Sequence, residues 1–228
     1  MASNSSEIDH GNYVPVPVTE GIHVPDGGSY RKVFLNELPE KGFVVGKDAS
    51  LDITVVMLPG HSAELPLTVD LMGEGSEVRL AGICLCKDED QVTIDITMNH
   101  RSGHCKSQQI FNTLAAGASK SAFFGKIVVA PDAQKTEAYQ ENHNIVLSDE
   151  ASVNTKPRLE IYADDVKCSH GATVGKLNED EQFYMRSRGI PEEEAKVLQM
   201  ISFVAPILTH VGDEDLDAAV EAAIRELA

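Results

Sequence analysis

The chain has 228 residues and 42% of them are apolar, enough for a core, but only 5% are aromatic and none is Trp, so aliphatic side chains must fill it. A formal net charge of -17, from 36 acidic against 19 basic residues, excludes nucleic-acid binding by phosphate neutralisation, which needs clustered Lys and Arg. The longest apolar runs, such as Phe203 to Leu208, fall far short of the ~20 residues a spanning helix requires, so no membrane partner is expected.

Cys84, Cys86, Cys105 and Cys168 form no CxxC pair, and the chain does not open on the charged and apolar regions of a secretory signal. A reduced, cytoplasmic setting is the expectation.

In chain order, residues 1–12 are polar and are expected to be a disordered tail. Tyr13 to Val18 alternates valine with proline, which suits an extended arm or edge and not a central strand. His23-Val24-Pro25-Asp26-Gly27-Gly28 has the composition of a turn. From about Lys32 the pattern becomes periodic. Leu51, Ile53, Val55 and Met57 alternate with mostly polar neighbours; Leu65 to Leu71, Val78 to Ile83 and Val92 to Met98 repeat the theme. The second apolar residue of each run, Ile53, Leu67, Leu80 and Ile94, recurs at spacings of 14, 13 and 14. Turn residues fall between every pair.

Such even spacing means many short strands, hence a mainly β sandwich, barrel or solenoid. Each of these buries one face per strand, so periodicity does not choose among them. The absence of an Asn-Gly hairpin favours coils.

After Gly175 the period lengthens to three or four. Asn178 with Glu181 reads as a capped helix start and Gly189 as its stop. Pro191 followed by three glutamates opens a second helix, in which Leu198 and Ile201 share a face and Pro206 is expected to end or kink the run. A third carries the stripe Leu216, Val220, Ile224 and Leu227. These helices, residues 176–228, are expected at the end of the strand region, which spans 13–175. The stripe suits equally the chain's own core or a partner.

The best candidates for chemistry are Cys168 and His170, two residues apart in extended chain, so that both side chains leave on one face. A thiolate and an imidazole suit an iron–sulfur cluster or zinc, yet they are two ligands where about four are needed. Taken alone, a buried cysteine beside a structural histidine is the commoner arrangement. His100, His104 and Cys105 also bring donors together, but Arg101 intervenes and a surface turn is the expectation. Cys84 and Cys86 are expected to be buried as small hydrophobes. Asp164-Asp165 reads as adjacent strand residues facing opposite ways, which argues against shared acid–base work. GxSxG, GxxxxGK[ST] and HExxH are absent, and Gly73-Glu74-Gly75 lacks a surrounding βαβ unit, so no enzyme template fits.

The run Lys167-Cys168-Ser169-His170-Gly171-Ala172-Thr173-Val174-Gly175, with Asp180-Glu181-Gln182-Phe183-Tyr184 and Arg186-Ser187-Arg188-Gly189-Ile190, resembles the C-terminal signature of the SufB/SufD family of the SUF iron–sulfur cluster assembly system. The likeness is closer to the SufD branch and runs from about Gln108 onward, through Phe123 to Ile127 and Asn154 to Pro157. It implies a right-handed parallel β-helix as the core, with a C-terminal helical region contacting a SufC-like ABC ATPase that alone hydrolyses ATP. It also implies pairing with a SufB/SufD-like subunit or a second copy, with His170 at the interface, Cys168 beside it, and a transient iron–sulfur cluster shared there.

Two departures stand out. The N-terminal helical region that precedes the family's β-helix is missing, as in a truncated or minimal member. Gln140-Glu141-Asn142-His143, where a SufB-type scaffold carries a cysteine, has none, which points to the supporting half of a heterodimer. The alternative is an unrelated β-rich binding module or a cupin-like metal protein, although His61, His100, His104 and His143 are scattered over turns.

Overall fold

The computed structural model describes residues 13–228, and the expected polar tail, 1–12, lies outside them. Twelve strands come first: β1 (Gly21–Val24), β2 (Ser29–Leu35), β3 (Gly42–Val45), β4 (Ser50–Met57), β5 (Ala63–Leu71), β6 (Glu77–Cys86), β7 (Gln91–His100), β8 (Lys106–Ala115), β9 (Lys120–Val129), β10 (Glu137–Val146), β11 (Ser152–Ile161) and β12 (Lys167–Gly175). Three helices follow: α1 (Glu179–Ser187), α2 (Glu192–Val211) and α3 (Glu214–Arg225).

Odd strands form one six-stranded sheet in the order β1-β3-β5-β7-β9-β11, and even strands form the other, β12-β10-β8-β6-β4-β2. All of the described pairings are parallel and unslipped, as in Glu77↔Lys106, Glu137↔Lys106 and Glu137↔Lys167. The chain therefore winds as a β-solenoid, each coil contributing one strand to each sheet. Parallel pairing also removes the cupin alternative, an antiparallel jelly roll.

Period-2 alternation places Leu51, Ile53, Val55 and Met57 of β4 in the lumen with Leu65, Leu67, Val69 and Leu71 of β5 opposite, all buried. Phe111 and Phe123 meet across it with ring centroids 5.3 Å apart. Gly82 on β6 makes room for them: a Cβ there would stand 2.3 Å from the Phe111 ring. On the outside, Glu77, Lys106, Glu137 and Lys167 form an alternating-charge ladder, with Lys106–Glu77 at 2.9 Å and Lys167–Glu137 at 2.8 Å. Its net contribution is small because the groups are exposed.

One corner of the solenoid repeats a left-handed residue in coil after coil: Gly27, Asp48, Gly75, His104 and Lys135 all have φ between 50° and 74°. Asp and His tolerate this region better than most side chains. Asp164-Asp165 also lies at a bend between β11 and β12 and not within a strand, contrary to the sequence reading. His23 and Val24, expected in a turn, belong to β1.

The helices correct a further expectation. They do not close the end of the strand ladder; α2 and α3 lie on the outer face of the even-numbered sheet. Val56, Ala81, Ile83, Leu85 and Leu114 meet Val197, Met200, Val204, Ile207, Leu208, Leu216, Val220 and Ile224 there. Ile83 thus belongs to this outer layer although it sits in the same strand as the lumen residues Val78 and Leu80. The α3 stripe is spent on the chain's own core. Leu198, by contrast, is exposed and Ile201 only half-buried, because the face turned to the sheet is that of Val197, Met200, Val204 and Leu208.

Pro206 neither ends nor visibly interrupts α2, which runs five residues beyond it. A proline inside a helix costs about 3 kcal/mol. Burying Val204, Ile207 and Leu208 around it returns roughly 1.5–3 kcal/mol each, so tertiary packing wins. Asn178 caps α1 by accepting from the backbone N–H groups of Asp180 and Glu181, and Gly189 follows its end with φ 90°, both as read from the sequence.

Candidate functional site at the last coil

Strands β11 and β12 occupy the ends of their sheets, so the last coil is covered by no further coil among the described residues. In β10 the inward residues Ala138, Gln140, Asn142 and Asn144 are buried. Their register partners one coil higher are Cys168, His170, Ala172 and Val174. Cys168 is half-buried and packs on the lumen core, whereas His170 is exposed. The two side chains leave β12 on the same face, directed to the lumen's open mouth.

Burial pushes the Cys168 thiol above its usual range, partly offset by a hydrogen bond from the Ala138 backbone. It is therefore a protonated thiol at neutral pH that must give up its proton to bind metal. Among the described residues no group of three or more His, Cys, Asp or Glu is placed to hold a metal ion. Cys168 and His170 at the open edge are two donors, where an iron–sulfur cluster takes about four.

The other donor groups fall away from this mouth. His100 is buried, hydrogen-bonded through Nε2 to Ser107 Oγ at 2.8 Å, and desolvation holds its pKa down at about 3. Cys105 is buried, with Ser76 donating to its sulfur at 3.2 Å. The surface turn expected at 100–105 joins β7 to β8, but its flanking residues His100 and Cys105 are buried while His104 is exposed at the left-handed corner. Arg101, which interrupts the donor run in sequence, binds the buried Asp70 at 2.6 Å and donates to the backbone carbonyls of Val16 and Pro17. Cys84 and Cys86 are buried in the lumen as expected, and burial raises both thiols, Cys86 to about 12.

Missed from the sequence is the change in the lumen's character. The lower coils are aliphatic; the upper coils place Ser107, Gln109, Ser121, Gln140, Asn142 and Asn144 inside. The Gln140 amide donates to Gln109 Oε1 at 3.0 Å, and Asn144 donates to Asn142 Oδ1 at 2.7 Å. The signal was present as polar residues at alternate positions 140, 142 and 144.

A second feature lies on the helices. α1 buries no side chain. It is fastened by Gln199 of α2, which receives a bond from Gln182 at 3.1 Å and donates to Asn178 O at 3.0 Å and Glu181 Oε2 at 2.7 Å. Phe183 and Tyr184 of α1 and Leu198 of α2 are left exposed at 72%, 58% and 39%. Tyr184 and Leu198 line an open groove of about 490 Å³ with Met185 and Ser202.

Stacked parallel coils with helices laid on one outer face define a β-solenoid, a fold that offers extended surfaces for binding. Residues 35–203 match the family described as "SUF system FeS cluster assembly, SufBD core domain", so the chain belongs to the SufBD family, a component of iron–sulfur cluster assembly. The match begins well before Gln108, where the sequence likeness was first legible. Among the relatives, the chain is similar to the iron–sulfur cluster assembly protein SufD of Escherichia coli, 35% identical over 79% of this chain and 43% of that protein. It also resembles the SufBD family protein slr0076 of Synechocystis, 43% identical over 51% of this chain and 25% of that protein. The chloroplastic protein ABCI7 of Arabidopsis thaliana is 32% identical over 71% of this chain and 34% of its own length. The chain thus spans less than half the length of these relatives. No helix among the described residues is long and apolar enough to cross a membrane.

Proposed function

We propose that this chain is a subunit of a SUF-type iron–sulfur cluster assembly complex, acting as scaffold or scaffold partner, in the cytoplasm. The observation that carries the reading is the last coil: two unpaired sheet edges beside Cys168 and His170 at the mouth of the lumen. Unpaired edges are templates for another strand, so a SufB/SufD-like subunit, or a second copy of this chain, would extend both sheets. That pairing would bring further ligands to the thiol and the imidazole, which would share a cluster transiently as cargo.

The exposed Phe183, Tyr184 and Leu198 suit the helical region to docking a SufC-like ABC ATPase, with ATP hydrolysed in that partner and not here. Closure of paired ATPases would pull on α1, which follows β12 after three residues, and so expose the seam. Family membership and the similarity to SufD support the same partners.

The test is anaerobic reconstitution with iron and sulfide in the presence of the partner subunits, followed by visible absorbance and transfer to an apo acceptor. His170→Ala and Cys168→Ser should each reduce transfer at least tenfold. Unchanged transfer in both variants removes the site. Co-purification of the ATPase with the intact chain, and its loss when Phe183 and Tyr184 are both changed to Ser, tests the docking face.

A further inference from the structure

We propose that Gln140 is a positioning residue for His170: its unpartnered carboxamide oxygen accepts the hydrogen of one ring nitrogen, leaving the lone pair of the other directed to the seam. The inference rests on reading His170 as a ligand. Its own basis is a column of four inward residues in register, Leu80, Gln109, Gln140 and His170, one from each successive coil of the even-numbered sheet.

Gln109 and Gln140 are both fully buried. In a ladder of stacked carboxamides each NH₂ donates toward one neighbour and each oxygen accepts from the other. Gln140 Nε2 donates downward to Gln109 Oε1 at 3.0 Å, and Gln140 Oε1 is left buried without a partner. The amide is wedged in place: a Cβ on Gly125 of the facing strand would lie 2.4–2.7 Å from its Nε2, Cδ and Oε1. The coil above offers two inward residues over this pair, His170 over Gln140 and Pro157 over Gly125. Proline has no N–H, so of the two residues stacked directly on this pair His170 is the one able to donate to the oxygen; Thr155, whose buried Oγ1 also lacks a partner, lies over Phe123 instead.

A buried acceptor left unpaired is costly, and an imidazole hydrogen bond removes that cost as the exposed ring turns inward. It also fixes the tautomer, which is how a second partner sets the orientation and basicity of a ligating histidine. When another subunit covers the coil, water no longer competes for either atom.

The experiment is long-range ¹H–¹⁵N NMR of His170 in the full chain at pH 8, joined to titration with Co²⁺ alone. The wild-type ring should populate a single neutral tautomer. Gln140→Leu and Gln140→Met should show both tautomers and bind Co²⁺ about 10-fold or more weakly. Gln140→Glu, which keeps an acceptor oxygen at similar reach, should retain the single tautomer; Met serves if Leu does not fold. Mixed tautomers in the wild type, or an unchanged single tautomer in the Leu and Met variants, overturn the proposal. His170→Ala is the separate arm: unchanged Co²⁺ affinity there removes the ligand reading itself, whatever the tautomer does.

Discussion

Helix α1 is predicted to be the most easily detached element of the fold, and Gln199→Ala is the perturbation that shows it. The helix buries no side chain, so the apolar term that holds α2 and α3 to the sheet is almost missing. Three hydrogen bonds of Gln199, at 3.1, 3.0 and 2.7 Å, tie it to Gln182, Asn178 and Glu181. An ordinary hydrogen bond contributes about 0.5–1.5 kcal/mol net, and these are partly wet, so a value in the lower half, about 0.7 kcal/mol each, applies: about 2 kcal/mol for the set. That corresponds to roughly a 30-fold rise in the opening of α1 without global unfolding. The assay is native-state hydrogen exchange. In Gln199→Ala, α1 amides should lose about 30-fold in protection while β6 and β8 amides keep theirs, and affinity for an ABC-type ATPase should fall. Equal protection of α1 in both proteins would mean that contacts other than Gln199 hold it, and the reasoning would fail.

His100 makes the fold acid-sensitive. Its folded pKa is about 3 against an ordinary 6.5, so the unfolded chain takes up a proton that the native chain refuses, and stability falls as pH drops below 6.5. Between pH 7 and 5 this removes about 2 kcal/mol, read as a lower urea midpoint, and His100→Gln should flatten the dependence. Of the four thiols, half-buried Cys168 should react first with iodoacetamide under native conditions, while buried Cys84, Cys86 and Cys105 should need unfolding, as peptide mapping by mass spectrometry would record. Arg101→Ala should cost about 3 kcal/mol by leaving Asp70 buried and unpaired, with Asp70→Asn in the same chain recovering much of it. Thermal denaturation of the single and double variants measures both.

The likeness of 167–190 to SufB/SufD proteins was legible because it sits in contiguous motifs with fixed spacing. The helix ends were legible for a related reason: Asn178 and Gly189 act on backbone groups within a few residues of themselves. The turn at 100–105 was legible but the burial of its flanks was not, because a turn looks alike in sequence whether its flanks face water or the lumen. Only the coil beneath decides that His100 is buried and His104 exposed.

From the sequence alone came the alternation that makes strands, the change of period near Gly175, the pair Cys168 and His170 on one face, and the family. All of these depend on residues close together in the chain. Tertiary structure alone decided that α2 and α3 lie along a sheet face and that Pro206 is carried within a helix. It alone set His170 over Gln140, 30 residues away, because stacking of successive coils is a long-range match of register that no local pattern encodes.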